Sequence, residues 1–263
     1  MKKHLVLTVA AALAAACLLT QCADLAGLPS APPAPPDPAL LSASKAAPFV
    51  NSLGMKFVPV PGTNVLFCTT ETTVAQYQAA GLGYEAPDYP QGSNHPAVNV
   101  SWNDAKAWCK RLSQREGKKY RLPTDAEWSA AVGTTSTYPW GRSWPPPSNY
   151  GNYMGQEAAV PEMKAYLQRV GYSAVTIIAG YRDRHVFTAP VGSYAANGYG
   201  LHDLGGNVWE CCEDPPPTFA FSRVMRGGSW RNGEREYLAS SRRNEFGPDS
   251  RSDRNGFRCV VER

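Results

Sequence analysis

The chain has 263 residues, enough for one large domain or two small ones. With 23 Gly, 23 Pro, 7 Trp and 13 Tyr it reads as a loop-rich globule anchored by aromatics, not as a helical bundle. The formal charge of +4 includes Lys2 and Lys3, and no basic block is interleaved with aromatics, which argues against a nucleic-acid partner.

Residues 1–22 have the pattern of an export signal. Lys2 and Lys3 form a positive start, and Leu5 to Ala16 make an apolar run too short to span a bilayer. Two cysteines close it. Cys17 follows three alanines, which suits lipoprotein processing; the length of the region also permits Cys22, although Gln21 is an unusual residue before a cleaved cysteine. Lipid attachment at Cys17 or Cys22 is the expectation, with simple cleavage as the alternative, so the protein is expected to be exported and anchored to a membrane. Residues 23–49, rich in Ala, Pro and Ser and including Pro32-Pro33-Ala34-Pro35-Pro36, are expected to form an extended tether. The folded domain is then expected over 50–263, with no later segment able to cross a membrane.

Within it, Asn51 to Gly62 reads as a strand and turn, followed by a second strand through Val65-Leu66-Phe67. A short helix is expected from Glu71 to Tyr77, and a Gly/Pro-rich loop from Gly81 to Pro96. Ser101-Trp102-Asn103-Asp104 is a capping box, in which hydroxyl and carboxylate satisfy free backbone donors. Ala105, Trp108, Cys109 and Leu112 then recur with helical spacing, so this helix presents one face to a core, and Gly117 ends it. A second capping box, Thr124 to Glu127, opens a helix carrying Trp128 and Ala131. Beyond Gly133 the pattern is irregular, apart from helical character between Pro161 and Val170, where Met163, Tyr166 and Leu167 share a side. No period of repeat length emerges.

Several ordered motifs carry a resemblance. Pro96-Ala97-Val98-Asn99-Val100-Ser101-Trp102, Tyr120-Arg121-Leu122-Pro123-Thr124-Asp125-Ala126-Glu127-Trp128, Tyr138-Pro139-Trp140-Gly141, Gly200-Leu201-His202-Asp203-Leu204-Gly205-Gly206-Asn207-Val208-Trp209-Glu210, Arg226-Gly227-Gly228-Ser229-Trp230 and Gly256-Phe257-Arg258 follow one another. Together they resemble the formylglycine-generating enzyme (sulfatase-modifying factor) family over roughly residues 51 to 263. The resemblance implies an α+β, loop-rich single domain with a C-type-lectin-like fold.

It also implies a departure in chemistry. Oxidase members hold copper on two cysteines five residues apart after the Gly-Gly-Ser-Trp motif, with oxygen activated beside a Ser and a Trp. Ser229 and Trp209 match those flanking positions, but Asn232 and Tyr237 stand where the thiols would be. Neither can bind Cu(I) as a thiolate does, so copper and formylglycine generation are not expected. A copper site built from Cys211 and Cys212 has no precedent in the family. The four histidines contain no metal-binding pair at helical spacing.

Two calcium sites carry over from the family. The first would use Asn152, the Tyr153 carbonyl, Asp183 and the His185 carbonyl. The second would use Asp203, the carbonyls of Gly206 and Val208, and Glu210, an oxygen set suited to a hard cation. The resemblance further pairs Cys109 with Cys259 in a disulfide; Cys68, Cys211 and Cys212 remain, with one pairing through Cys68 open and one thiol left over. The segment from Arg231 to Arg254 is expected to line the former active-site groove, where Arg242, Arg243, Arg251 and Arg254 could grip an anionic ligand. The expected role is binding of a protein or glycan partner, the alternative being oxidase or other redox maturation of exported substrates.

Overall fold

The computed structural model describes residues 37–172, 174–216 and 221–263. The candidate export signal, Cys17 and Cys22 lie outside the described residues, and no helix among the described residues is long and apolar enough to cross a membrane.

Two small sheets frame the domain. The first contains β1 (Phe49–Val50), β2 (Lys56–Pro59), β3 (Val65–Cys68), β4 (Tyr120–Arg121) and β9 (Val260–Glu262), in the order β1-β2-β3-β9-β4, all antiparallel. Placing the last strand between β3 and β4 ties the C-terminus into the middle of the sheet. The second sheet contains β5 (Trp209–Cys211), β6 (Arg223–Arg226), β7 (Asn244–Phe246) and β8 (Asn255–Gly256), in the order β7-β6-β5-β8, with β5 and β8 parallel. All of these strands are short, two to four residues each, so loops carry most of the chain between them.

The helices follow the caps read in the sequence. In α3 (Trp102–Glu116) the Ser101 hydroxyl accepts from the Asp104 amide while the Asp104 carboxylate accepts from the Ser101 amide. The helix ends on Gly117 at φ 64°, a left-handed geometry that costs a glycine nothing. Ala105, Trp108, Cys109 and Leu112 are buried on one face, as their spacing dictates. Helix α4 (Asp125–Val132) has the same reciprocal cap at Thr124 and Glu127 and buries Trp128, Ala131 and Val132. Helix α2 (Val74–Ala79) starts later than expected, on a Thr73–Gln76 capping box that the sequence reading passed over. Helix α5 (Pro161–Arg169) buries Met163, Tyr166 and Leu167, and it packs with Tyr89, Phe187 and Trp230 in an aromatic cluster.

Two expectations need correction. The tether does not extend to residue 49. Pro38–Leu41 forms a short helix, α1, whose Leu40 is buried in the main core, and Phe49 and Val50 pair with β2. Polar contacts pin this stretch as well: Asp37 pairs with Lys118, and Lys45 donates to the Gly198 carbonyl. The Pro-rich composition concealed a single leucine with a core to enter. The second correction concerns sulfur. Cys68, Cys109, Cys211, Cys212 and Cys259 are all buried free thiols in this structure, which does not show the expected Cys109–Cys259 bond. Both belong to the same apolar core, where burial raises the thiol pKa and suppresses the thiolate that exchange requires.

Leu40→Ala tests the new domain boundary. If residues 37–49 are part of the fold, the substitution should cost about 2 kcal/mol or more and lower the melting temperature accordingly. A tether would give no shift.

Candidate functional site

Asn232 folds back onto the motif that precedes it. Its side-chain Oδ1 accepts from the Ser229 amide at 3.0 Å and from the Ser229 hydroxyl at 2.8 Å, while its own amide donates to the Ser229 carbonyl at 3.0 Å. Ser229 is wholly buried. The turn is held tight by Gly228 at φ 79°, where a Cβ would meet Leu238 Cδ2 at 2.9 Å, and by Gly233, where a Cβ would lie 1.8 Å from the Thr176 carbonyl oxygen. The close approach at Gly233 places Thr176 against the Ser-Trp-Arg-Asn segment.

Between them lies a cavity of about 410 Å³ lined by twelve residues, among them Tyr172, Trp209, Arg231, Asn232, Tyr237 and Arg254. Three positions singled out in the sequence, Trp209, Asn232 and Tyr237, therefore converge on one pocket. Ser229 does not line it; it sits behind Asn232. The indole Nε1 of Trp209 is buried with no hydrogen-bond partner, and the Tyr237 ring meets the Trp209 ring edge-on at 6.4 Å. No cysteine lines the pocket.

The four candidate arginines separate. Arg243 makes a two-nitrogen contact with Asp125 at 2.9 and 2.7 Å, and Arg226 binds the other oxygen of the same carboxylate. Arg251 is bound to Asp104 and to the Asn99 carbonyl. These two serve the helix starts of α4 and α3, the ordinary structural use of such residues. Arg242 lies over the Tyr237 ring at 4.8 Å. Only Arg254 reaches the cavity. Arg231, the first residue of the segment expected to line the groove but not one of those four, is the second cation there. It is 7% exposed, donates to the Tyr166 hydroxyl at 3.3 Å, and stacks on Tyr172 at 4.4 Å. Burial, then repulsion from Arg254, lowers its pKa to about 10. Its stacking partner Tyr172 is 59 residues away in the chain, so no local pattern could mark it.

Of the candidate calcium ligands, Tyr153, Asp183 and His185 meet through hydrogen bonds, and Asp203 lies near Glu210. Asp183 accepts from the Tyr153 amide at 2.8 Å and the His185 amide at 3.0 Å. It is buried, forms no ion pair among the described residues, and its pKa is pushed up to about 7, chiefly by burial. The Asn152 side chain donates to the Phe187 carbonyl and to Asn207 Oδ1, but its own Oδ1 is buried without a partner. In the second set, Asp203 accepts from the Gly192 amide at 2.7 Å. Glu210 is already fully engaged: Arg258 donates to both oxygens at 2.7 and 2.6 Å, and Trp128 Nε1 adds a bond at 2.8 Å. Asn207, in left-handed geometry at φ 57°, links the sets, donating to Glu71 at 2.6 Å while accepting from Asn152 at 3.0 Å. Glu71 is a buried carboxylate that no local sequence motif marks; burial and its neighbours Asp203 and Glu210 push its pKa well up.

Residues 42–263 match the model of the sulfatase-modifying factor enzyme 1-like domain. The chain belongs to this family. It is 29% identical over 231 residues to the formylglycine-generating enzyme of Thermomonospora curvata, covering 77% of this chain and 69% of that protein. It is 35% identical over 188 residues to the Streptomyces coelicolor enzyme of the same name, with 64% and 52% covered. A Bos taurus protein named inactive C-alpha-formylglycine-generating enzyme 2 is 36% identical over 173 residues, with 63% and 50% covered. The chain thus spans between about half and two thirds of these relatives' lengths. Among solved structures, PvdO from Pseudomonas aeruginosa superposes with a TM-score of 0.60 at 24% identity, covering 76% of this chain and 80% of that one. Variable protein 1 of Treponema denticola gives 0.57 at 23%, with 81% and 98% covered. Both show the family's α+β fold in this chain.

The Arg258–Glu210 pair gives a sharp stability test. Arg258→Met leaves Glu210 buried beside Asp203 and Glu71 with no cation, and should cost about 3–5 kcal/mol in denaturant unfolding.

Proposed function

We propose that this protein is a non-oxidase member of the family that binds a protein or glycan partner through the pocket around Asn232 and Tyr237. The observation that carries this reading is the side-chain geometry of Asn232. Its oxygen is committed to Ser229 by two hydrogen bonds, so the position that would hold a thiolate instead closes a turn. The cysteines of the described residues support the same reading, since each is buried away from the cavity and those with raised pKa values are held as thiols. Family membership alone does not decide the matter, because the similar proteins include some named as enzymes and some named as inactive.

The export pattern at 1–22 and the Pro-rich segment after it support a tethered, membrane-associated location, with lipid on Cys17 or Cys22. The binding domain would then face partners outside the cytoplasm.

Calcium belongs to the same proposal as a structural ion, and the first donor set fits it. Asn152 Oδ1 is a buried acceptor without a donor, and Asp183 is a buried carboxylate without a cation. Together with the Tyr153 and His185 carbonyls they would supply the mixed oxygen set that calcium takes, the Tyr153 carbonyl also accepting from the Gly155 amide at 2.8 Å. The second set does not fit as well, because Arg258 and Trp128 already saturate Glu210. We therefore confine the proposal to the first.

Two measurements test these readings. Incubated with a cysteine-containing sulfatase peptide, copper and oxygen, the purified protein should yield no aldehyde by mass spectrometry; conversion would refute the non-oxidase reading. A calcium chelator should lower the melting temperature of the wild type, and Asp183→Asn should remove most of that sensitivity. At a calcium concentration 100 times the dissociation constant, the ion contributes about 2.7 kcal/mol. An identical melting curve with and without chelator would exclude the structural ion.

A further inference from the structure

The floor of the Asn232 pocket is built from donors. Asn232 has committed its oxygen to Ser229, which leaves the amide NH2 as the group it can offer a ligand. Trp209 presents a buried indole N–H with no partner and has no acceptor. Arg231 and Arg254 add guanidinium donors, and neither forms an ion pair among the described residues. Arg254 carries a buried Nε with no hydrogen bond. A buried donor left unmade costs on the order of 1–3 kcal/mol, more when it is charged, so this wall favours a ligand rich in acceptors.

The remaining walls narrow its class. Tyr172, Tyr237 and Phe246 supply flat apolar surface. Glu234 and Glu245 also line the cavity; Glu245, whose carboxylate accepts from the Ser222 hydroxyl, is exposed while Arg231 is buried, and Glu234 and Arg254 are both half-buried, so the charge runs from acid on the solvent side to guanidinium at the interior. Acids at the mouth oppose an extended polyanion such as nucleic acid or a densely sulfated chain. They accept hydrogen bonds from hydroxyl groups. One anionic head and a hydroxylated, ring-shaped remainder satisfy both ends of the pocket, and the volume of about 410 Å³ suits a ligand of that size.

We propose that this pocket binds an acidic saccharide unit, its carboxylate held by Arg231 and Arg254 with the Trp209 N–H, its ring on Tyr237 and Tyr172, and its hydroxyls toward Glu234 and Glu245. The inference rests on the non-oxidase binding role stated above and gives that role a ligand chemistry. It also gives a role to the repulsion between two guanidiniums in one cavity, neither of them in an ion pair among the described residues, which an anion between them relieves.

The test uses isothermal titration of the exported chain with glucuronate, glucose, inorganic sulfate, and a short peptide titrated with a free and with an amidated C-terminus. Glucuronate is expected to bind and glucose to bind at least about tenfold more weakly. Arg254→Gln should weaken glucuronate by about tenfold or more, whereas Lys110→Gln, the same charge change at an exposed site on α3, should leave it unchanged. Equal binding of glucose, indifference to Arg254→Gln, or equal loss with Lys110→Gln would overturn the proposal. Binding of sulfate or of the free-carboxylate peptide in preference to glucuronate would overturn it in favour of a bare oxyanion or a peptide terminus. If no probe binds, the acidic-saccharide assignment fails while the non-oxidase reading stands; aldehyde formation in the peptide assay is what would remove the latter.

Discussion

The buried ion pair between Glu210 and Arg258 joins the two sheets through their side chains. Glu210 lies on β5 of the second sheet, and Arg258 lies just before β9 of the first. The remaining bonds of the pair reach Trp128 on α4 and the backbone carbonyls of Cys68 and His202. Both side chains are essentially inaccessible to water. Desolvating two charges is expensive, and the pair is tolerable only because nearly every donor and acceptor on it is satisfied. In return it fixes the mutual position of two sheets whose strands are too short to define it by themselves.

That frame is what allows the loops to be long and irregular. Trp209, the residue before Glu210, is carried into the pocket by the same strand, and its backbone amide bonds to the Arg254 carbonyl. The geometry of the pocket is therefore set by the core beneath it. Within that support Asn232 keeps the turn closed by bonding to Ser229, Tyr237 fills wall space against Trp209, and the cavity between them presents hydrogen-bond donors.

Local signals in the chain were reliable wherever a single turn or helix decided the outcome. The capping boxes at Ser101 and Thr124, the stop at Gly117 and the buried face of α3 are consequences of backbone donors and side-chain spacing within a few residues. The ordered motifs carried the fold and placed Trp209, Asn232 and Tyr237 at one site. Charge in the C-terminal segment was less legible. Arg243 and Arg251 look the same in sequence as Arg254, yet they are bound to Asp125 and Asp104, acids more than 100 positions away. The Pro-rich segment misled for a related reason, because Leu40 is an isolated apolar residue until a core is present to receive it.

By itself the sequence determined which elements form and which residue types stand at the candidate site: caps and periodicity act over one helical turn, and a residue without sulfur cannot become a thiolate ligand in any fold. Only the tertiary structure decided which arginines stay out of ion pairs among the described residues, which carboxylates are paired and which acceptor is left without a donor there. Those properties depend on partners distant in the chain and on exclusion of water, and neither exists until the two sheets have closed over the same core.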